Sequence, residues 1–446
     1  MRQALISRAM SVALLRLAGP VALARLGIMG MGIIDTIVVG QAAADELPFL
    51  ALGWAPTGMA LVAGIGLLLG VQVLSARVIG EGRVHAAGTV LRRGLVISVV
   101  VGVIAGAALY WGAGPGLLFF GIDAKLVAGA AKVAQILALS IPLHFLFIAL
   151  SYFLESIQRP NVGMAVVWLA NGLNLALLLW LVPTQGAAGA AWATVWARLA
   201  TTLALGAYVF FWPSLKRYGV SAADAGAPAY PAILSVGAAA AVSQFAESAA
   251  FSGMTVIAGR IGGDAVAAYQ IMLMTLALVF MIAQGISTAT AVLVSDAVGR
   301  GAPADRVSAG WHGLGINTIA MLAAALVVIL GATPIAHGFT SDPSISALYI
   351  ATAPVLAAVL APDGGQSVAA SALRAQGDNW FPTANHIFAY VVVMPPLGYY
   401  LAEMQHRGVP GLIEAIVWAS VVSVAVLMAR MAMLGRRAPA AARSAA

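Results

Sequence analysis

Apolar runs about twenty residues long, rich in Leu, Ala, Gly and Val, recur along the chain from Ser11 to Met433. A helix rises about 1.5 Å per residue, so each run is long enough to cross a hydrocarbon core of about 30 Å. Inside lipid every backbone polar group must be bonded within the protein, which leaves only helices and closed barrels. A barrel would read as alternating segments of roughly 10 residues, and the chain has none. The expected fold is therefore an all-α polytopic membrane protein. The composition agrees: 62% of the residues are hydrophobic and 9% charged, where a soluble domain carries about 25% charged residues.

Twelve transmembrane helices follow, at about 12–39, 53–77, 94–115, 131–154, 161–182, 187–210, 232–259, 267–293, 313–334, 347–373, 383–402 and 411–433, separated by Gly- and Pro-rich breakers. Basic residues in short loops set the orientation. With the N-terminus inside, seventeen of them face the cytoplasm, including Arg2, Arg8, Arg77, Arg83, Arg92, Arg93, Arg374, Arg437 and Arg443. Only Lys125, Lys132, Arg260 and Arg407 face outward. Both termini are expected to be cytoplasmic. The net charge of +7 thus reads as membrane topology and not as a nucleic-acid surface. There is no cysteine, which excludes disulfides and thiolate metal sites. The excess of Arg over Lys and the abundance of Ala and Gly suit a bacterial chain, hence a cytoplasmic (inner) membrane.

The second half of the chain repeats the first. Gly40 and Gly259 stand 219 residues apart, as do Asp45 and Asp264, Gly80 and Gly299, and Leu154 and Leu373. After three extra residues the offset becomes 222, pairing Pro160 with Pro382, Gly186 with Gly408 and Trp196 with Trp418. Six helices per half, both halves starting on the same side, make this a parallel pseudo-two-fold repeat. The expected organisation is an N-terminal lobe at 1–213, a cytoplasmic linker at 214–230, and a C-terminal lobe at 231–446 with a short basic tail. Transporter halves of this kind enclose a cavity and give alternating access to it.

Three acids fall deep in the apolar runs: Asp35 in the first helix, Glu247 in the seventh and Asp363 in the tenth. An acid at the bilayer centre costs about 2.5–3.5 kcal/mol on insertion scales, so such residues face a cavity or a partner and mark ion pathways. Their repeat positions hold Met254, Ile28 and His144. The acids are therefore not part of the shared scaffold, as expected of an ion site grafted onto a symmetric fold. Two nearby carboxylates suit Na⁺, and burial with mutual repulsion suits them to carry protons. The residues leave both ions open. Glu155, beside Arg159, reads as a solvated helix-end charge, and Glu414 as interfacial. Arg25 and Arg198 read as snorkelling or acid-paired, with an anionic headgroup as the alternative. Pro20 permits a kink in the first helix. Asn171, Asn174, Gln270 and Gln284 are candidate substrate-cavity groups, or packing contacts. The six histidines lack zinc spacing, and there is no Walker A sequence and no Ser-His-Asp arrangement, so neither an enzyme nor a cofactor is implied.

These residues resemble the multidrug and toxic compound extrusion (MATE) family over nearly the whole chain. The resemblance rests on Pro20, Asp35-Thr36 and Gly40, and on Gly80-Glu81-Gly82. It rests also on Asn171 and Asn174 followed by G-A-A-G-A-A-W-A-T from Gly186, and on D-G-G-Q and L-R-A-Q-G-D between Asp363 and Asp378. It implies a two-lobe exporter of amphipathic, often cationic compounds, driven by Na⁺ or H⁺. The chain looks like the NorM branch, whose cation site uses acids matching Glu247 and Asp363, with Asp35 matching the helix-one acid. It departs from the family at Leu178, where the archaeal pattern has an acid, and at Val359, where an aromatic is expected near the helix-ten acid.

The expected function is a secondary-active multidrug efflux antiporter. Its partners would be organic cations and drugs, the coupling ion (Na⁺ at Glu247 and Asp363, or H⁺) and the lipid bilayer, with the protein a monomer. The alternatives are a lipid-linked precursor flippase of the same superfamily, in which Arg25 and Arg198 would matter more than the acids, and a non-transporting membrane scaffold subunit.

Overall fold

The computed structural model describes residues 2–119, 122–221, 224 and 226–443. The end of the basic tail, 444–446, lies outside the described residues, as do the side chains of Arg2, Arg8, Arg437 and Arg443. The protein is all-α. Its helices are α1 (Arg2–Ala42), α2 (Leu47–Gly80), α3 (Ala86–Phe119), α4 (Ala124–Ala138), α5 (Ile141–Ser156), α6 (Pro160–Phe211) and α7 (Tyr230–Ile261). They continue as α8 (Gly263–Gly299), α9 (Pro303–Leu330), α10 (Ala332–Phe339), α11 (Pro343–Ala375), α12 (Trp380–Met404) and α13 (Gly408–Arg443).

Among the described residues ten helices are long and apolar enough to cross a membrane. One of them, α6, is two spans joined at Gly186, whose φ of 56° and ψ of −136° lie outside the helical region. The α4–α5 pair, bent by 40°, supplies a further span. The twelve expected crossings are therefore present, with the expected break at Gly186 drawn inside one long helix and a bend at 139–140 that falls within the expected fourth crossing at 131–154. Side chains such as Leu169 and Leu330, each 76% exposed, give the outer faces the apolar surface that lipid requires.

The repeat is visible in the backbone. Shifted by 219 residues, the stretch from Ala124 to Ser156 lands end for end on α11. The left-handed positions repeat too: Gly82 with Gly301, Gln158 with Gly377 and, at offset 222, Gly186 with Gly408. Only glycine adopts the Gly186 conformation without strain. A Cβ there would also overlap the Glu46 carboxylate, which accepts a hydrogen bond from the Ala187 N–H at 2.8 Å.

The chain forms two compact units. The first is Leu23–Ala241; the second combines Met1–Ala22 with Val242–Ala446. The boundaries fall inside α1, two residues after Pro20, and inside α7. The loop at 214–230 lies in the first unit, where Arg83 donates to the Gly226 carbonyl at 2.6 Å and Arg93 to the Ala227 carbonyl at 2.8 Å. The N-terminal part of α7 packs backbone to backbone on α2: a Cβ on Gly237 would overlap the Leu67 carbonyl. Gly237→Val should therefore push the helices apart and destabilise the protein by about 1–3 kcal/mol. A lowered thermal unfolding midpoint of the purified protein would report this, and an unchanged midpoint would refute the close approach.

Candidate functional site

Asp363 sits on α11 directly after Pro362, which has no N–H and leaves the Ala358 carbonyl without its intrahelical partner. Gly364 and Gly365 follow. A Cβ on Gly364 would come within 2.9 Å of the Asn317 side chain on α9, and one on Gly365 within 3.1 Å of Val424 on α13. The glycine pair thus lets three helices close around the acid. Asp363 is 3% exposed. Its Oδ1 accepts from the Tyr390 hydroxyl at 3.1 Å and from Ser420 Oγ at 3.5 Å, and those two hydroxyls lie 3.0 Å apart. Gln366, one turn on, completes its polar surroundings.

Glu247 reaches the same place from α7. Ser243 and Phe251 lie four residues before and after it. Ser243 hydrogen-bonds His386, and the Phe251 ring lies 6.1 Å from that of Tyr390. The three residues share one helical face, so Glu247 points at the stretch of α12 that carries His386 and Tyr390. It feels the charges of Asp363 and of Arg374 further along α11. The pair is backed by hydroxyls and amides, the oxygen-rich lining that a hard monovalent cation or a proton takes. Among the described residues no group of three or more acids and histidines clusters tightly enough to hold a metal ion.

The first unit holds a different arrangement. Asp35 is fully buried on α1, and its Oδ2 accepts from Thr194 Oγ1 at 2.7 Å. Asn174 lies beside it, and Arg198 is its counter-charge. The Arg198 guanidinium donates to Ser140 Oγ at 2.6 Å and stacks 5.3 Å from the Trp54 ring. Arg198 also lines a cavity of about 230 Å³, with Ile28, Trp54, His144 and Thr201 among the other walls. Three of these wall positions answer to the second unit's site: Ile28 to Glu247, His144 to Asp363 and Arg198 to Ser420. The same location in the repeat carries acids in one unit and basic side chains in the other.

The MatE family pattern matches residues 20–180 and 239–400. The chain belongs to the MatE family. It is 39% identical to a probable multidrug resistance protein NorM of Caulobacter vibrioides, over 98% of this chain and 94% of the relative. It is 27% identical to the multidrug resistance protein PmpM of Pseudomonas aeruginosa, over 95% and 91% of the two chains. Among solved structures it matches a MOP superfamily transporter of Pyrococcus furiosus, described as having a binding pocket of reversed polarity, with a TM-score of 0.89 at 21% identity over 96% and 97% of the chains. It matches a eukaryotic MATE transporter with a TM-score of 0.88 at 18% identity, over 97% and 98%. These structures establish the fold.

Within this MatE chain the remaining expected residues are placed as follows. Asn171 and Asn174 are buried, with Asn171 spent on the Gly27 carbonyl at 2.8 Å. Gln270 is exposed and donates to Thr255 at 3.3 Å, while Gln284 is half-buried. Glu414 pairs with Arg407 at 2.6 Å near a helix end. Two expectations are overturned. Glu155 is not a solvated end charge: it is 3% exposed, accepts from Gln72 at 2.5 Å, and faces Arg25 at 3.9 Å. Arg159, its expected neighbour, instead bonds Tyr208 and Ser214. The position four residues before Asp363 is Val359, as the departure from the family implied, and the aromatic that does touch Asp363 is Tyr390 of α12, which no spacing on α11 could indicate. Arg374, expected among the cytoplasmic loop charges, is instead a buried side chain near the end of α11, 6% exposed, and the 219-residue offset pairs it with Glu155 directly after the Leu154–Leu373 match.

Proposed function

We propose that the protein is a secondary-active multidrug efflux antiporter of a bacterial cytoplasmic membrane, with both termini cytoplasmic. It exports amphipathic organic cations in exchange for Na⁺ or H⁺. Glu247 and Asp363 load the incoming cation, and Asp35 responds in the other half. Lobes 1–213 and 231–446, joined by 214–230, move against each other, with Pro20 as the flexible point of α1. Asn174, buried beside Asp35, is the amide candidate tied to that acid. A cation that binds one access state better than the other shifts the balance between them by that difference in affinity. The observation that carries this reading is Asp363: a buried acid mid-span, held by two hydroxyls, with a second acid aimed at the same place.

A second reading, movement of an anionic amphiphile, is favoured by the first unit's cavity. Among the described residues its one permanently charged wall is Arg198. Efflux of ethidium from proteoliposomes, under a Na⁺ gradient or a pH gradient imposed separately, tests both readings. Efflux driven by either gradient supports the antiporter and names its ion. Failure of both gradients, with translocation of a labelled anionic lipid instead, would replace it with the second reading.

A further inference from the structure

Arg374 lies eleven residues beyond Asp363, three turns along the same face of α11. It is 6% exposed, and its Nε and Nη2 are buried without a hydrogen-bond partner among the described residues. A guanidinium keeps its charge in a protein, so burying one is costly unless an opposite charge answers it.

The repeat identifies that charge. Moving back 219 residues from Arg374 reaches Glu155, whose partner is Arg25 of α1, 3.9 Å away. Moving Arg25 forward by the same offset reaches Gln244 of α7, and Glu247 stands one turn further along that helix. Each unit therefore carries an acid and an arginine on equivalent helices, with the signs exchanged. In the first unit the arginine is on α1 and the acid on α5. In the second the acid is on α7 and the arginine on α11. The anchoring of Ser243 on His386 and of Phe251 on Tyr390 turns Glu247 toward this side of α7. Glu247 and Arg374 lie within electrostatic reach of each other.

The charges then balance differently in the two units. In the first, Asp35 faces Arg198 and Glu155 faces Arg25, so these four charges cancel. In the second, Arg374 answers one of two acids and one negative charge is left over. We propose that Arg374 is the built-in counter-cation of Glu247, so that the Glu247–Asp363 pair loads one monovalent cation per transport cycle, not two. The proposal rests on the antiporter reading, whose failure the experiment below reports separately.

One-for-one exchange against a monovalent organic cation moves no net charge. Wild-type proteoliposomes should therefore accumulate ethidium to a ratio that does not change when the membrane potential is clamped with K⁺ and valinomycin. In Arg374→Met two cations would enter per ethidium expelled. A potential of about 100 mV should then shift the accumulation ratio by roughly fiftyfold, the factor for one elementary charge. Arg374→Lys keeps the charge and should behave as wild type. A potential-dependent wild type, or a coupled but potential-independent Arg374→Met, would overturn the proposal. If Arg374→Met does not insert, the wild-type and Arg374→Lys results decide it alone. If neither gradient drives the wild type, the antiporter reading falls. Arg374 is then judged by cations bound per purified protein at equilibrium: one in wild type and two in Arg374→Met support its role, and equal numbers refute it.

Discussion

Asp363→Asn should abolish gradient-driven efflux while leaving the protein folded and inserted. Asparagine matches the shape of the acid, and its amide can still bond the Tyr390 and Ser420 hydroxyls that lie 3.1 and 3.5 Å away. What it lacks is the charge that makes a cation bind one access state better than another. Coupling free energies between sites are typically about 1–3 kcal/mol, or about 5–150-fold in affinity. With that term removed, the outside-to-inside substrate ratio should collapse from such a value toward unity. Substrate binding to the purified protein should persist. Glu247→Gln should behave in the same way, since the two acids share one site. Accumulation assays in proteoliposomes, paired with a check of the reconstituted amount, measure this. Full coupling in both variants would remove the second unit's acids from the mechanism.

The second large effect is on stability. Arg25→Met should leave Glu155 buried at the end of α5 with Gln72 and Ser151 as neighbours but without its cation. Breaking a buried ion pair from one side costs about 3–5 kcal/mol, because the remaining charge stays desolvated. Part of the loss would come from the Arg25 stem and its stacking 5.3 Å from the Tyr152 ring. The double variant Arg25→Met with Glu155→Gln removes both charges and keeps the Gln72 contact, so it should recover most of the stability. Thermal unfolding of the two single variants and the double variant gives the coupling energy directly. Additive losses would show that Arg25 and Glu155 act independently, and that the first unit's charges are not balanced as described.

The order of these effects reflects where each acid sits. Asp363 is held by neutral hydroxyls, so its charge is free to attract a cation. Glu155 is held by a fixed arginine, so its charge is already spent on structure. Two buried carboxylates of similar burial, 3% each, are thus expected to fail in different assays when altered.

Much of this protein was legible in the sequence, for local reasons. The twelve crossings follow from the length of the apolar runs, because lipid forces each run to satisfy its own backbone as a helix. Gly186 and Gly408 mark breaks because the left-handed backbone there admits little else. The parallel repeat follows from the register of such residues. The mid-span positions of Asp35, Glu247 and Asp363 needed only counting along a helix. Partnership was decided by the tertiary structure alone. A spacing shows which face of a helix a residue occupies, but not which helix that face meets. Asp363 therefore gave no sign of Tyr390, nor Glu155 of Arg25, until the helices were packed. The exchange of charge between the two units is the clearest case. Its letters stand at fixed offsets in the chain, yet they gain meaning only when equivalent helices place an acid and an arginine on facing surfaces, where low dielectric makes an unpaired charge too costly to keep.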